Sequence, residues 1–404
     1  MKIPDYKERP LYANKISPFI GKQIIKVLTG QRRVGKSYIL FHLMDIIKAN
    51  DPQANLIYIN CELEQFFQIK NHEDLLKYIK ENIDPSANNY LLIDEIQEIS
   101  SFELALRSLF AENICDITCS GSNANMLSGE LATYLSGRYI EFNIHSLSYK
   151  EFIQFHNFNS SPESVLQYLK YGGMPYLMQI GLNDNLPFEY LRNVYSTILL
   201  RDVVSRENIR NVAFLENLIQ YLAGNIGNLF SANNISRYLK SQRISMSPQL
   251  VINYLKALTN AFFIHKAVRA NIDGLKIFEI GEKYYFEDLG LRNALWGQSQ
   301  RMDLHQLLEN AVYLHLKQLG FNVFVGQLGS QEIDFVAEKQ GNKVYVQVCL
   351  QLSSDKTINR EFGNLLQVKD NYPKYVVSLN DPIIGDNYKG IIHINIHDFL
   401  MLNL

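Results

Sequence analysis

Cysteine is scarce, with Cys61, Cys115, Cys119 and Cys349 the four in 404 residues. No CxxC pair and no histidine at zinc-ligand spacing accompanies them, which argues against a disulfide framework and against a zinc site. Long apolar runs are missing as well. Nowhere do roughly 18 apolar residues follow one another, so no bilayer-spanning segment is predicted. The opening MKIPDYKERP is charged and broken by Pro4 and Pro10, and no secretion signal is expected. Nor is there an excess of either charge: 39 Lys and Arg against 41 Asp and Glu leave a formal charge of -2, so a nucleic-acid or membrane partner must be sought in local patches. These absences predict a cytoplasmic protein in a reducing compartment. With 47% hydrophobic and 20% charged residues the chain has material for several cores, and its length suggests two or three domains.

What is present changes pattern along the chain. Over residues 1–146, short β-rich runs (QIIKVLTG, NLIYINC, YLLIDEI, DITCSGS, RYIEFNI) alternate with helical periodicity, the signature of a parallel sheet with crossover helices. LIYI and YLLI are apolar throughout, which predicts helices on both faces of that sheet. Residues 147–216 carry apolar positions at threes and fours and predict a helical lid or linker, broken at Gly172, Gly173 and Pro175. Residues 217–296 read as three helices and two strands joined by a turn at residues 271–274, the order of a winged helix. Ser231 and Ser247 stand there at N-cap positions. Residues 297–404 restart with a long helix, then FNVFVG, EIDFVAEKQ, KVYVQVCLQ, a helical stretch near Glu361 and YPKYVVSL, a separate α/β domain.

The chemistry concentrates in GQRRVGKS, residues 30–37. GxxxxGK[ST] predicts a P-loop, in which main-chain N–H groups and a helix N-terminus surround phosphates while glycines permit close approach. The expected nucleotide contacts are Gly30, Gln31, Arg32, Arg33, Val34, Gly35, Lys36, Ser37 and Tyr38. Lys36 would reach the β- and γ-phosphates, Ser37 would coordinate Mg²⁺, and Arg32 and Arg33 would face solvent. In LLIDE an apolar strand ends in Asp94, expected to hold Mg²⁺ through water, and Glu95, expected to orient and deprotonate the attacking water. NLIYINC intervenes between the P-loop strand and the Asp94 strand, which favours ATP hydrolysis coupled to conformational change over phosphoryl transfer to a metabolite. At the strand end CSGS, Ser120 or Ser122 would sense the γ-phosphate, or form an ordinary turn. Arg138 in LSGR is the candidate transition-state arginine, acting in trans if copies associate, against a plain surface arginine. ATP and Mg²⁺ are the expected cofactors.

Together GQRRVGKS, YLLIDEIQEI, TCSGSNANML, LSGRYIEFNIHSLSYKEF and YGGMP resemble the AAA-type ATPases widespread in bacteria and archaea, and the resemblance covers nearly the whole chain. It implies an α/β fold, a P-loop NTPase parallel sheet with a helical lid, a winged helix and a C-terminal domain similar to PD-(D/E)XK nucleases. LLENAVYLHL, QEIDFVAEKQ and VYVQVCLQ stand at the motif positions of that domain. In such nucleases an Asp and a Glu bind Mg²⁺, a Lys two residues on activates water, and a helical Glu assists. Glu309 and Asp334 match, but Gln347 stands for the second acid and Cys349 for the Lys. An amide is a weaker Mg²⁺ ligand, and a thiol brings no ammonium charge. The resemblance therefore implies a degenerate nuclease fold used for binding, with a protein partner or assembly as its role, and an ATP-dependent nuclease as the alternative.

DNA is the other partner to weigh. Residues 217–272 contain no Asp or Glu, while Arg237, Lys240, Arg243, Lys256, Lys266 and Arg269 are all present. Such a basic segment suits phosphate contacts, with SPQLVINYLKALTNA as the groove helix and a hairpin tip near Asn271 on the backbone. That helix offers only Lys256 as a cation, and winged helices also serve as protein interfaces. A nucleotide-regulated switch acting on DNA or on a protein, with little turnover, is the second expectation.

Overall fold

The computed structural model describes residues 4–124, 134–183, 185–241, 247–272, 281–296, 303–382 and 387–404. The chain divides into two compact units, Met1–His145 with Asn260–Phe262, and Ser146–Thr259 with Phe263–Leu404. Segments 147–216, 217–296 and 297–404 thus fall almost wholly within the second unit. Among the described residues no helix is long and apolar enough to cross a membrane.

In the first unit, β1 (Ile25–Thr29), β2 (Asn55–Asn60), β3 (Asn89–Asp94), β4 (Asp116–Gly121) and β5 (Tyr139–Asn143) form one sheet of order β2-β3-β4-β1-β5. Every pairing is parallel, so each connection needs a crossover. Those from β1 to β4 are made by α2 (Lys36–Asn50), α3 (His72–Asn82) and α4 (Phe102–Glu112), with α1 (Pro10–Ile16) ahead of the sheet. The strand lying between the P-loop strand β1 and the Asp94 strand β3 is β4. NLIYINC, which intervenes in the chain, is β2 and takes the sheet edge beside β3. Its burial alternates, with Ile57 and Ile59 inside and Tyr58 only partly covered, where two covered faces were expected. A strand with one neighbour receives less cover than central β1, which is buried at all five residues. Register aligns the chemistry: Thr29 lies opposite Gly121 and Asn143, and Asn60 opposite Asp94, so all five strands end at one rim.

The second unit opens with helices α5 (Tyr149–His156), α6 (Pro162–Tyr171), α7 (Leu177–Ile180) and α8 (Leu186–Thr197), the last running into a π-helical stretch at Ile198–Ser205. Then come α9 (Val212–Ala223), α10 (Ala232–Ser241) and α11 (Pro248–Asn260). Ser231 and Ser247 accept the Asn234 and Leu250 amides at 3.2 and 3.3 Å, as their N-cap positions predict. β6 (Ile264–Ala267) pairs antiparallel with β8 (Lys283–Phe286). The expected hairpin differs in one respect: β7 (Arg269–Asn271) leaves it and pairs in parallel with β9 (Asn322–Leu328), Asn271 opposite Gln327. Asn271 is therefore no hairpin tip; its strand satisfies the otherwise open edge of β9. Residues 273–274 and Arg243 lie outside the described residues.

After α12 (Leu289–Trp296) and α13 (Leu304–Gln318), β9, β10 (Gln331–Lys339) and β11 (Asn342–Val348) form an antiparallel meander. α14 (Asp355–Leu366) then crosses over to β12 (Lys374–Ser378), parallel to β11, and β13 (Ile392–Asn395) follows before the short α15 (Ile396–Phe399). The mixed sheet has the order β13-β12-β11-β10-β9-β7.

Candidate nucleotide-binding site

The loop after β1 is shaped by backbone that few residues can adopt. At Gly30 φ is +145°, and a Cβ there would lie 2.1 Å from the Ile144 carbonyl oxygen, so a side chain is excluded. Arg33 and Gly35 also take positive φ, 71° and 99°, and coil the chain into α2. No side chain caps the N-terminus of α2, which leaves its first amides and the positive end of its dipole available to an anion. Lys36 is 4% exposed. Its Nζ donates to the Gly30 and Gln31 carbonyls, each at 3.0 Å, and lies 3.6 Å from Glu95 Oε1. The ammonium thus curls over its own loop, with neutral carbonyls that phosphate oxygens would outcompete.

Other loop residues divide between inside and outside. Arg32 was expected to face solvent but is buried, its Nη1 2.8 Å from Glu62 Oε1. Glu62, just past β2, supplies the carboxylate that draws the guanidinium inward. Arg33 is exposed. Gln31 is fully buried, and its side-chain amide meets no partner among the described residues. Tyr38 is 43% exposed and meets Phe41 edge-on, ring centroids 5.8 Å apart.

Across the rim, Asp94 and Glu95 close β3. The Ser120 hydroxyl donates to Asp94 Oδ1, and the Tyr58 hydroxyl lies 3.5 Å from Oδ2. Burial and the adjacent Glu95 push the Asp94 carboxyl upward against the Ser120 and Ser37 hydroxyls and Lys36. Glu95 sits in the left-handed region at φ 55°, a conformation that costs an L residue about 1 kcal/mol or more. It is held there by its N–H donating to Ser120 Oγ at 3.2 Å. Gln97 Nε2 and Ser122 Oγ donate to its Oε2 at 2.5 and 3.0 Å. Burial works to raise the Glu95 carboxyl, but Lys36 and Arg32, helped by Gln97 and Ser122, hold it at about 2. Ser120 and Ser122 therefore each grip one of the two acids.

Not every expected residue converges here. Arg138 precedes β5, at the end of the strand paired with Ile25, whereas the P-loop follows Thr29 at the other end. Its guanidinium lies over the Phe110 ring at 5.6 Å, so within one chain it does not approach the loop. The thiols of Cys61, Cys115 and Cys119 are pushed up to about 12 by burial, and none is a ready nucleophile. In the second unit, the Asp334 amide approaches Gln347 Oε1 at 3.4 Å, while Cys349 turns its thiol to the Val377 carbonyl at 3.7 Å.

One positioning residue escaped the sequence altogether. Arg9 is buried, and its Nη1 donates to the Val34 and His145 carbonyls at 2.8 and 3.0 Å, tying the loop to the end of β5. No motif flags it; only the charge of ERP ahead of a proline-started helix does. Replacing Arg9 with alanine strips a charged donor from two buried carbonyls, which should cost about 2 kcal/mol of stability and weaken nucleotide binding. Calorimetric melting and a nucleotide titration on the same variant check both effects.

Fold and loop together define a P-loop domain of the AAA class, a nucleotide-binding fold, and residues 22–153 match the family model described as "AAA domain". Residues 162–302 match a "Domain of unknown function (DUF8612)". An uncharacterized protein of Haemophilus influenzae is 35% identical over 376 residues, covering 92% of this chain and 92% of that one. Uncharacterized protein MJ1544 of Methanocaldococcus jannaschii is 31% identical over 347 residues, covering 81% of this chain and 75% of its own. The chain belongs to the family of these two proteins. Among solved structures it is similar to the Aeropyrum pernix ORC1 protein in complex with DNA, with TM-score 0.35 and 12% identity over 72% of this chain and 93% of that one. AMPPCP-bound DnaA from Aquifex aeolicus gives TM-score 0.31 and 14% identity over 61% and 85%.

Proposed function

We infer that the chain is an ATP-hydrolysing AAA-type ATPase that couples its nucleotide state to conformational change, with DNA as the partner. The observation that carries the first part is the contact between Lys36 and Glu95 at 3.6 Å beside an uncapped helix N-terminus. A triphosphate entering there would recruit the ammonium from the loop carbonyls, and Ser37 with Asp94 would hold Mg²⁺ through its water shell. Lys36 would then bind phosphate instead of neutralising Glu95. The carboxylate would gain proton affinity at the moment a water must be oriented and deprotonated. Ser122, bonded to Glu95, is the candidate sensor of that change. Arg138 enters this reading only as a residue offered to a neighbouring copy.

Support for DNA comes from the second unit. Arg237, Lys240 and Lys256 are exposed, and α11 turns Gln249, Ile252, Asn253 and Lys256 outward at helical spacing. Lys266 is taken up by Glu282. The αβββαβ order from α13 to β12 supports a nuclease-derived fold, and Gln347 and Cys349 speak against cleavage. The test is steady-state phosphate release by the full chain with and without duplex DNA. Release should require Mg²⁺ and rise with DNA. DNA affinity should fall steeply with salt, with little sequence preference. ATP binding without turnover would instead favour a nucleotide-regulated switch.

A further inference from the structure

The mixed sheet of the second unit holds an acidic cluster whose cation comes from the protein itself. Glu309 on α13 is 3% exposed and Asp334 on β10 is 8% exposed, and Glu332 stands two residues before Asp334. Into this group β8 extends Lys283, 3% exposed, with Nζ 3.0 Å from Glu309 Oε1 and 2.9 Å from Glu332 Oε1. Tyr285, two residues on along the same strand face, donates its hydroxyl to Glu309 Oε1 at 2.7 Å. Asp334 Oδ2 accepts the Val348 amide at 2.7 Å. Glu309 Oε2 is hemmed in by Gly227, where even a Cβ would come within 2.6 Å of it.

Glu309 Oε1 and Glu332 Oε1, the oxygens that face into the cluster, are thus met by the Lys283 ammonium, which occupies the space a divalent ion would need. Burial works to lower the Lys283 ammonium, but Glu309, Asp334 and Glu332 together drive it above its ordinary value, so it stays charged. Burial and Glu309 push the Asp334 carboxyl upward, while Lys283 and the Val348 amide act to hold it down. Residues at the positions of a metal-dependent nuclease do not, as they stand, fit a metal.

We propose that Lys283 fills a divalent-cation position from within, converting an acidic metal-type centre into an ion-pair clamp that fastens β8 to α13 and the mixed sheet. The backbone agrees: Asn310, next to Glu309, accepts the Phe286 amide at 2.8 Å and donates to the Phe286 carbonyl at 2.9 Å. Side chains of consecutive α13 residues thus grip consecutive parts of β8. β8, the second strand of the segment expected to form a winged helix, is thereby tied to α13 and through it to the C-terminal sheet. This inference goes beyond ATP hydrolysis and DNA binding and stands independently of both.

The test uses the full chain without nucleotide, read by thermal melting and by Mn²⁺ titration. Wild-type melting should be unmoved by millimolar Mn²⁺. Lys283→Met leaves buried acids without their cation and should lower the transition of the second unit by about 10 °C. It should also let Mn²⁺ restore part of the loss. Lys283→Met combined with Glu309→Gln should recover stability relative to Lys283→Met alone and no longer respond to Mn²⁺. If Lys283→Met does not fold, the double variant must still be recovered folded. Saturable Mn²⁺ stabilisation of the wild type that Asp334→Asn removes would overturn the proposal. So would a double variant no more stable than Lys283→Met, or metal-dependent DNA cleavage lost on Asp334→Asn.

Discussion

Replacing Lys36 with alanine should abolish ATP turnover, by about 100-fold or more, while the parallel sheet stays folded. The loss has two sources. Lys36 is the cation curled over the loop, 3.0 Å from the Gly30 and Gln31 carbonyls, and without it a triphosphate meets amides and a helix dipole but no ammonium. Removing one preorganised charge-stabilising donor of this kind costs about 10²–10³ in rate. The second source lies across the rim. Lys36 is the first of the cations that hold the Glu95 carboxyl at about 2 against its own burial. With Lys36 gone, Arg32, Gln97 and Ser122 remain, and the carboxyl should move upward. The sheet core does not depend on this pair: Val27, Leu28, Ile59, Leu91 and Ile93 bury their side chains independently of the loop. Phosphate release and a nucleotide titration, with circular dichroism on the same sample, check the prediction. Turnover at the wild-type rate would place hydrolysis elsewhere in the molecule.

The same residues mark how far the sequence could be read. GQRRVGKS and YLLIDE were legible because each is a local pattern, a glycine-spaced loop between strand and helix and an apolar run ending in acids. The position of β4 between β1 and β3 was not, since order in a parallel sheet is set by the paths of its crossovers rather than by succession in the chain. Arg32 reads as a solvent residue because nothing local announces Glu62, thirty residues on. No motif marks Arg9 for a related reason: its Nη1 donates to main-chain carbonyls at Val34 and His145, and carbonyls leave no trace in a sequence. In the second unit Glu309, Asp334, Gln347 and Cys349 were picked out by resemblance to a motif. Lys283 lies on a different strand, β8, where the motif holds no place for it. Asn271 reads as a hairpin tip because local spacing shows β6 and β8 but not the distant edge of β9, with which residues 269–271 pair.

Glu95→Gln should separate binding from hydrolysis, retaining nucleotide while lowering turnover by about 10²–10⁴, the range for removal of a general base. The amide keeps the shape of the carboxyl, and its oxygen can still accept from Gln97 and Ser122, whose donors lie 2.5 and 3.0 Å away. What disappears is the negative charge facing Lys36 at 3.6 Å. That charge also has a stability signature whose sign is fixed. The folded-state carboxyl is held at about 2 against an ordinary 4.5, so its contribution is fully present above 4.5 and is lost as pH falls through 2. The stability gap between wild type and the glutamine variant should therefore shrink over that interval, which melting curves at stepped pH would record. Above it the wild-type carboxylate in the nucleotide-free protein is ionised, the state that the proposed role as base requires. A variant that binds ATP as poorly as Lys36→Ala would mean that Glu95 shapes the loop by holding the ammonium in place, and the role of orienting water would pass to another residue of the rim.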